Sequence, residues 1–231
     1  MKRPLSHYRN HMAFALSAIT ALLIALSAQA VPQPPGSPTL DAFAVRKELR
    51  SLLEESARGS RSFRVKTLSR AFLGRPYHRH NLGEGTDGKF NQLPLYRFDR
   101  FDCVTFVETV VALAFSNTPQ EFEDQMNRIR YANAEVSYLT RNHFPSKDWI
   151  PNTVAAGFFE DITAEVAGKN SKHLAKASAT IDKNRWIRSQ VQNDDFFRLN
   201  QPVPGNQRGI LVAQLLEEAS TIEPITKELP Y

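Results

Sequence analysis

The sequence predicts an α+β fold, and its helical part can be recognised in the residues themselves. Apolar residues recur at helical spacing over about 41–55, and Asp41 is in position to cap that helix. A second helical stretch, about 61–73, ends before Gly74, a residue that commonly stops a helix. A third helix begins at Cys103 and carries apolar side chains along one face. The residue pattern gives no comparable signal for the sheet, which is predicted only from the sequence motifs around Cys103.

The N-terminus has the pattern of a secretory signal peptide. Basic residues precede an uncharged apolar run over 12–30, which closes with the small-residue site Ala28-Gln29-Ala30. The alternative is an uncleaved membrane anchor, but the run is only marginally long enough to span a bilayer. We therefore expect a signal peptide over 1–30, cleavage after Ala30 and a periplasmic location.

The charge balance excludes a strongly basic mature protein. The formal net charge is +5, but residues 1–30 hold three of the 29 basic residues and none of the 24 acidic ones. Without them the 26 remaining basic residues exceed the acidic ones by two. We therefore expect neither nucleic acid as a partner nor a stable membrane span after cleavage.

The remaining residues are enough for one domain, or for one domain with a helical extension, and their hydrophobic content is enough to build a core. Residues 31–40 form a Pro-rich leader, and the domain is expected to occupy 41–231. The loop over 74–101 is rich in Gly and Pro, and long loops of this kind commonly shape a substrate cleft. Near the C-terminus, 210–218 is read as a helix, and a turn is expected at Pro224, Ile225 and Pro230.

Cys103 is the only cysteine, and it lies where this loop gives way to a helix. The first turn of a helix offers unpaired N–H groups and the positive end of the helix dipole, a setting in which a thiol becomes a nucleophile. The alternative is a buried and inert cysteine, because free cysteine packs as a small hydrophobe. One cysteine excludes a disulfide within the chain and a Cys-x-x-Cys oxidoreductase.

Metal and cofactor chemistry find little support in the sequence. His78 and His80 are close together, but the thiols or the second histidine pair that a zinc site would need are not nearby. We expect neither a metal nor a cofactor.

Asp102 is placed to cap the helix that follows it.

The segment around Cys103 resembles a known family. Its order of Asp-Cys, a small or polar residue and Phe-Val is similar to the nucleophile motif of the NlpC/P60 superfamily of cell-wall cysteine hydrolases. Residues 100–114 more narrowly resemble the DUF1460 family, which is N-acetylmuramoyl-L-alanine amidase-like. Further segments of that pattern follow in the same order, at 129–131, 141–144, Trp149 and 161–163.

The resemblance implies a papain-like fold with a helical N-terminal part, in which the nucleophile's helix packs on an antiparallel sheet. It implies that Cys103 attacks an amide of peptidoglycan or of muropeptides, its expected partners. The bond is either the amide between N-acetylmuramic acid and L-alanine or a peptide bond of the stem. The resemblance leaves the oligomeric state open.

Histidine is where the sequence departs from the family pattern. The family's catalytic histidine is expected in a downstream His-x-Gly-Phe-like strand, which this sequence lacks, and no histidine follows His173. We therefore expect a C-terminally truncated domain with an incomplete sheet and a catalytic histidine beyond Tyr231. The alternative function is an inactive or truncated protein that binds peptidoglycan.

Among the histidines present, His143 is the best candidate for the site, because it belongs to the shared motif at 141–144. We predict Cys103 and His143 as catalytic residues. Arg141, Trp149 and Asp102 are the predicted substrate-binding residues, since a cation and an aromatic ring suit a carboxylated, sugar-linked peptide. The alternative for His143 is a structural histidine bonded to backbone.

Overall fold

A computed structural model describes residues 41–79, 81–168, 176–191, 205–221 and 225–230. The predicted signal peptide and Pro-rich leader, residues 1–40, lie outside these ranges, and so does His80. Helices account for most of the regular structure in the described residues, with a small antiparallel sheet beside them.

Four helices form the first half of the fold. They are α1 (Ala42–Ser56), α2 (Arg61–Ala71), α3 (Cys103–Ala114) and α4 (Pro119–Arg130). Each is capped by a side chain that accepts backbone N–H groups, and the caps are Asp41, Ser60, Asp102 and Thr118. The predicted helices at 41–55, at 61–73 and from Cys103 are confirmed, although α2 ends at Ala71.

The loop between α2 and α3 is irregular, as its glycines and prolines predict. Two isolated bridges hold the loops around the helices: Tyr77 pairs with Phe101 in parallel, and Tyr131 pairs with Arg141 antiparallel. The first bridge fixes the approach to α3, and the second joins the end of α4 to the segment that carries His143. A short 3₁₀ turn, Ala132–Ala134, lies between the two partners of the second bridge.

The second half holds shorter elements. A π turn (Pro145–Trp149) leads into α5 (Ile150–Ala155), and α6 (Thr163–Ala167) follows. Then come β1 (Lys176–Ile181), α7 (Lys183–Val191), α8 (Gly205–Ser220) and β2 (Ile225–Pro230). The predicted helix at 210–218 is confirmed as part of α8.

The two strands correct the sequence prediction at the C-terminus. The sequence predicts a turn at Pro224, Ile225 and Pro230. Pro224 lies outside the described residues, and Ile225 and Pro230 begin and end β2, which pairs antiparallel with β1. Ile181 faces Ile225, and Lys176 faces Pro230. β-branched residues favour a strand at one end of the ladder, and Pro is tolerated at its terminus. The pairing was missed because a six-residue strand gives a weak signal without its partner.

Two hydrophobic cores stabilise the fold. The larger core unites α1 to α4 with aromatic residues of the irregular loop, and Leu49, Leu113, Phe122 and Ile129 are fully buried in it. The smaller core is formed by Phe90, Tyr138, Ile187, Leu215 and Ala219. None of the helices in the described part of the chain is long and apolar enough to cross a membrane.

Candidate active site

Cys103 is exposed and is the first residue of α3. Asp102 caps this helix: its Oδ1 accepts the N–H groups of Val104 at 3.0 Å and Thr105 at 2.8 Å. The Thr105 hydroxyl accepts the N–H of Asp102 at 3.0 Å, which completes a capping box. The predicted capping role of Asp102 is confirmed, and the cap holds the thiol at a fixed helix start.

The capping bonds leave one N–H group of the first turn for a ligand. Asp102, Val104 and Thr105 each have an acceptor, and the N–H of Phe106 donates to the carbonyl of Asp102 at 3.0 Å. The N–H of Cys103 has no acceptor among the described residues. An unpaired N–H beside an exposed thiol is the arrangement that binds the oxyanion of an acyl-transfer reaction.

The backbone before Cys103 is held in place by the irregular loop. Phe101 donates its N–H to Pro76 at 3.1 Å, and its carbonyl accepts the N–H of His78 at 2.9 Å. The Phe101 ring packs on Phe72, with 4.9 Å between ring centroids. This bridge brings the backbone of His78, which is exposed, alongside the segment that leads to Cys103.

A buried ion pair joins α3 to the end of α4, and its carboxylate lies five residues after Cys103. Glu108 is 4% exposed, and its Oε2 lies 3.3 Å from Nε of Arg130, which is equally buried. Its other oxygen accepts the indole N–H of Trp149 at 3.0 Å. Arg130 also donates to the carbonyl of Leu95 at 2.9 Å. These bonds join α3, the end of α4, the irregular loop and the π turn.

Burial raises the pKa of Glu108, against the opposing influence of Arg130 and Trp149. Asp102 raises this pKa further, and Arg141 lowers it. The bond from Trp149 to Glu108 joins α3 to the π turn that follows the motif at 141–144.

A second buried pair holds Arg141. Its guanidinium donates to Oε1 of Glu84 through Nε at 2.8 Å and through Nη2, and the Glu84 side chain is 3% exposed. Oε2 of Glu84 is buried without a partner in the described structure. The hydroxyl of Tyr131 donates to the neighbouring Gly83 carbonyl at 3.2 Å. The predicted substrate-binding residue Arg141 thus has a carboxylate partner inside the protein.

His143 is held by contacts on several sides. Its Nε2 donates to the carbonyl of Tyr138 at 2.7 Å, and its backbone N–H donates to Asp148 at 3.0 Å. The ring packs against Tyr138 and Trp186, each with centroids 4.7 Å away. Because a carbonyl only accepts, the proton lies on Nε2 and Nδ1 keeps the lone pair.

Burial lowers the pKa of His143 well below its ordinary value of 6.5, and the nearby charges of Arg141 and Lys183 lower it further. The imidazole is therefore neutral at pH 7. Within the described residues no hydrogen bond joins it to the Cys103 thiol. The structure thus bonds Trp149 to Glu108 on the helix that Cys103 begins, whereas Arg141 pairs with Glu84 and His143 packs against Tyr138 and Trp186.

The buried charged residues were missed in the sequence. They are Glu84, Glu108, Arg130, Asp148 and Lys183. One signal was present: Glu108 lies in an otherwise apolar helix, where a charge needs a partner. Its partners Arg130 and Trp149 lie 22 and 41 residues away, so spacing alone could not identify them. In the described ranges, no group of three or more His, Cys, Asp or Glu side chains is placed to hold a metal ion.

Comparison with known proteins gives one matching family model. The AmiA-like model, described as N-acetylmuramoyl-L-alanine amidase-like, matches residues 67–203, which include Cys103 and His143. No curated protein matches the chain.

Solved structures include similar chains. A DUF1460 protein from Legionella pneumophila shares 31% identity at a TM-score of 0.74 over 82% of this chain. The chain spans only 62% of that protein's length. An N-acetylmuramoyl-L-alanine amidase from Bacteroides uniformis shares 24% identity over 75% of this chain and 65% of its own, at a TM-score of 0.48.

Proposed function

Because the chain belongs to the AmiA-like family of N-acetylmuramoyl-L-alanine amidase-like proteins, we propose that it hydrolyses an amide bond of peptidoglycan by cysteine catalysis. The bond is the amide between N-acetylmuramic acid and L-alanine or a peptide bond of the stem. The observation that carries the proposal is Cys103 itself, an exposed thiol at a capped helix start whose own N–H has no acceptor in the described structure.

The proposed reaction has two steps. The thiolate of Cys103 attacks the carbonyl carbon of the amide, and the C–N bond breaks as the leaving amine takes a proton. Water then attacks the thioester, which releases a carboxylic acid and restores the thiol. In both steps the N–H of Cys103 donates to the oxyanion, and the capping box holds that N–H in place.

For His143 we propose a place in the lining of the site. Nδ1 is the ring atom that would accept a proton, because Nε2 is committed to the carbonyl of Tyr138. The low pKa makes the ring a weak base, so proton transfer by His143 is the less favoured of its two roles. We propose that Arg141 and Trp149 contact the substrate through the parts of their side chains that are not bonded to Glu84 and Glu108.

The fold and location implied by the resemblance remain part of the proposal. A papain-like arrangement of the NlpC/P60 type is supported by the nucleophile's place at the head of α3. A cleaved signal peptide over 1–30 would deliver the domain to the periplasm, where peptidoglycan lies.

The proposal is tested by incubating the full chain with purified muropeptides and separating the products by liquid chromatography and mass spectrometry. We expect cleavage by the unchanged protein and by Lys66→Ala, which alters an exposed residue of α2, but none by Cys103→Ala. Equal cleavage by Cys103→Ala would contradict the proposal. Sedimentation with sacculi without any cleavage would favour the alternative, a peptidoglycan-binding protein.

A further inference from the structure

An open pocket of about 530 Å³ lies where the end of α4, the 3₁₀ turn and α5 meet. It differs from the surface that carries Cys103, which is not among the lining residues. The lining residues are Arg128, Tyr131, Ala132, Asn133, Ala134, Asn152, Ala155 and Ala156. None of them was predicted as a site residue from the sequence.

The pocket has one fixed cation. Arg128 donates through Nη1 to Gln125 at 2.8 Å and through Nη2 to the carbonyl of Ala156 at 3.0 Å. Its guanidinium carbon lies 5.0 Å from the ring centroid of Phe158. A guanidinium has five N–H donors, so three remain for a ligand after these two bonds. Because these contacts already orient the group, a carboxylate would bind it with little ordering cost.

Tyr131, two amides and four alanines complete the lining. Asn152 donates to Asn142 at 2.7 Å, which leaves its carbonyl oxygen and a second N–H for a ligand. An amide both donates and accepts, and this matches the N–H and C=O groups of a peptide. The alanine methyls leave room for a ligand close to the backbone.

The wall of the pocket is conformationally strained. Asn133 and Ala134 have φ values of 55° and 59°, a left-handed conformation that costs about 1 kcal/mol for a residue such as Ala. The bridge between Tyr131 and Arg141 holds the turn in place, since Ala132 donates to Thr140 at 2.8 Å. Strained backbone of this kind concentrates at binding sites.

We propose that this pocket binds a short peptide with a free carboxylate, with the carboxylate on Arg128 and the peptide groups on Asn133 and Asn152. The single cation of the lining matches the single charge of a carboxylate. That such a peptide is part of the substrate rests on the proposed function, because peptidoglycan stems are alanine-rich and carboxylated. The binding itself does not require Cys103.

The test uses acetyl-Ala-Ala as the probe and acetyl-Ala-Ala-amide as its neutral analogue. Both are titrated into the ¹⁵N-labelled full chain, in the unchanged protein and in Cys103→Ala, and amide chemical shifts are followed by NMR. We expect saturable shifts at 132–134 and 152–156 with the acid, and about tenfold weaker binding of the amide. The same result in Cys103→Ala would separate this pocket from the proposed catalysis.

Two variants address the pocket directly. Arg128→Gln should weaken binding of the acid about tenfold, whereas Arg188→Gln, at an exposed and locally bonded arginine of α7, should not. Ala155→Leu fills the pocket from an exposed position without removing a hydrogen bond and should abolish binding, and Ala164→Leu on α6 is its control. Equal binding of acid and amide, unchanged binding by Ala155→Leu, or the absence of saturable binding would overturn the proposal.

Discussion

The two parts of α3 that face the candidate site differ in how they are held. Its first residue, Cys103, is exposed, and its first turn is stabilised by bonds between residues 102 and 106, all close in the sequence. Glu108, one and a half turns later, is buried and bonded to Arg130 and Trp149, which lie far away in the chain. The first turn therefore presents the reactive group, while the buried pair fixes the elements around it. Changes at the first should alter chemistry, and changes at the second should alter stability.

The largest loss of stability is expected from Glu108→Leu. The variant leaves the Arg130 charge and the Trp149 N–H buried without their partner, at a cost of about 3–5 kcal/mol in the free energy of unfolding. Urea denaturation followed by circular dichroism measures it. Glu108→Gln is the matched control: it also removes the carboxylate charge, but its amide oxygen still accepts from Trp149, so it should cost less. A Glu108→Leu protein as stable as the unchanged one would mean that the pair does not fix the fold.

Arg141→Ala should cost about 2–3 kcal/mol, because it leaves the buried Glu84 carboxylate without its cation. The loss is smaller than for Glu108→Leu, since the Arg141 side chain is 16% exposed and water can replace it in part. The double variant Arg141→Ala with Glu84→Ala should recover part of this stability in the same denaturation experiment. If the double variant loses more free energy of unfolding than the two single variants lose together, the ion pair is not the cause.

Asp102→Ala should cost about 1 kcal/mol, the usual value of a lost helix cap. It should also release the N–H groups of Val104 and Thr105 and loosen the helix start that holds Cys103. Asp102→Asn keeps an accepting oxygen and is the control. A large drop in cleavage by Asp102→Asn at unchanged stability would instead assign Asp102 a direct contact with substrate.

The smallest effect concerns pH. The pKa of His143 is lower in the folded protein than its ordinary 6.5, so the unfolded chain binds the proton more readily. The stability that neutral His143 contributes is complete above about pH 6.5 and declines as the pH falls below that value toward the folded pKa. His143→Gln should remove this component from the pH dependence of the urea midpoint. An identical slope in both proteins would show that His143 is not buried as a neutral ring.

The contrast between the first turn of α3 and the buried pair at Glu108 also explains which features could be predicted from the sequence. The start of α3, its cap Asp102 and the exposed Cys103 depend on local signals: a capping residue, an apolar periodicity and a loop rich in Gly and Pro before them. The sequence predicted the helix start and its cap, but it left open whether Cys103 is exposed or buried.

The buried ion pairs, in contrast, depend on residues that only folding brings together. Glu84 and Arg141 form an ion pair although 57 residues separate them in the sequence. Nζ of Lys183, on α7, lies 3.4 Å from Oδ2 of Asp148 in the π turn. The β1–β2 pairing was missed for the same reason, because each six-residue strand is stabilised by its partner. The roles predicted for Arg141, Trp149 and His143 stay predictions.

The most direct test of the central claim is a paired measurement on Cys103→Ala: cleavage of muropeptides and the free energy of unfolding. Because the thiol is exposed and makes no side-chain hydrogen bond among the described residues, stability should change by less than about 0.5 kcal/mol. Cleavage should fall to the level of the buffer blank. Cleavage that survives the substitution in a protein of unchanged stability would contradict the claim that Cys103 is the nucleophile.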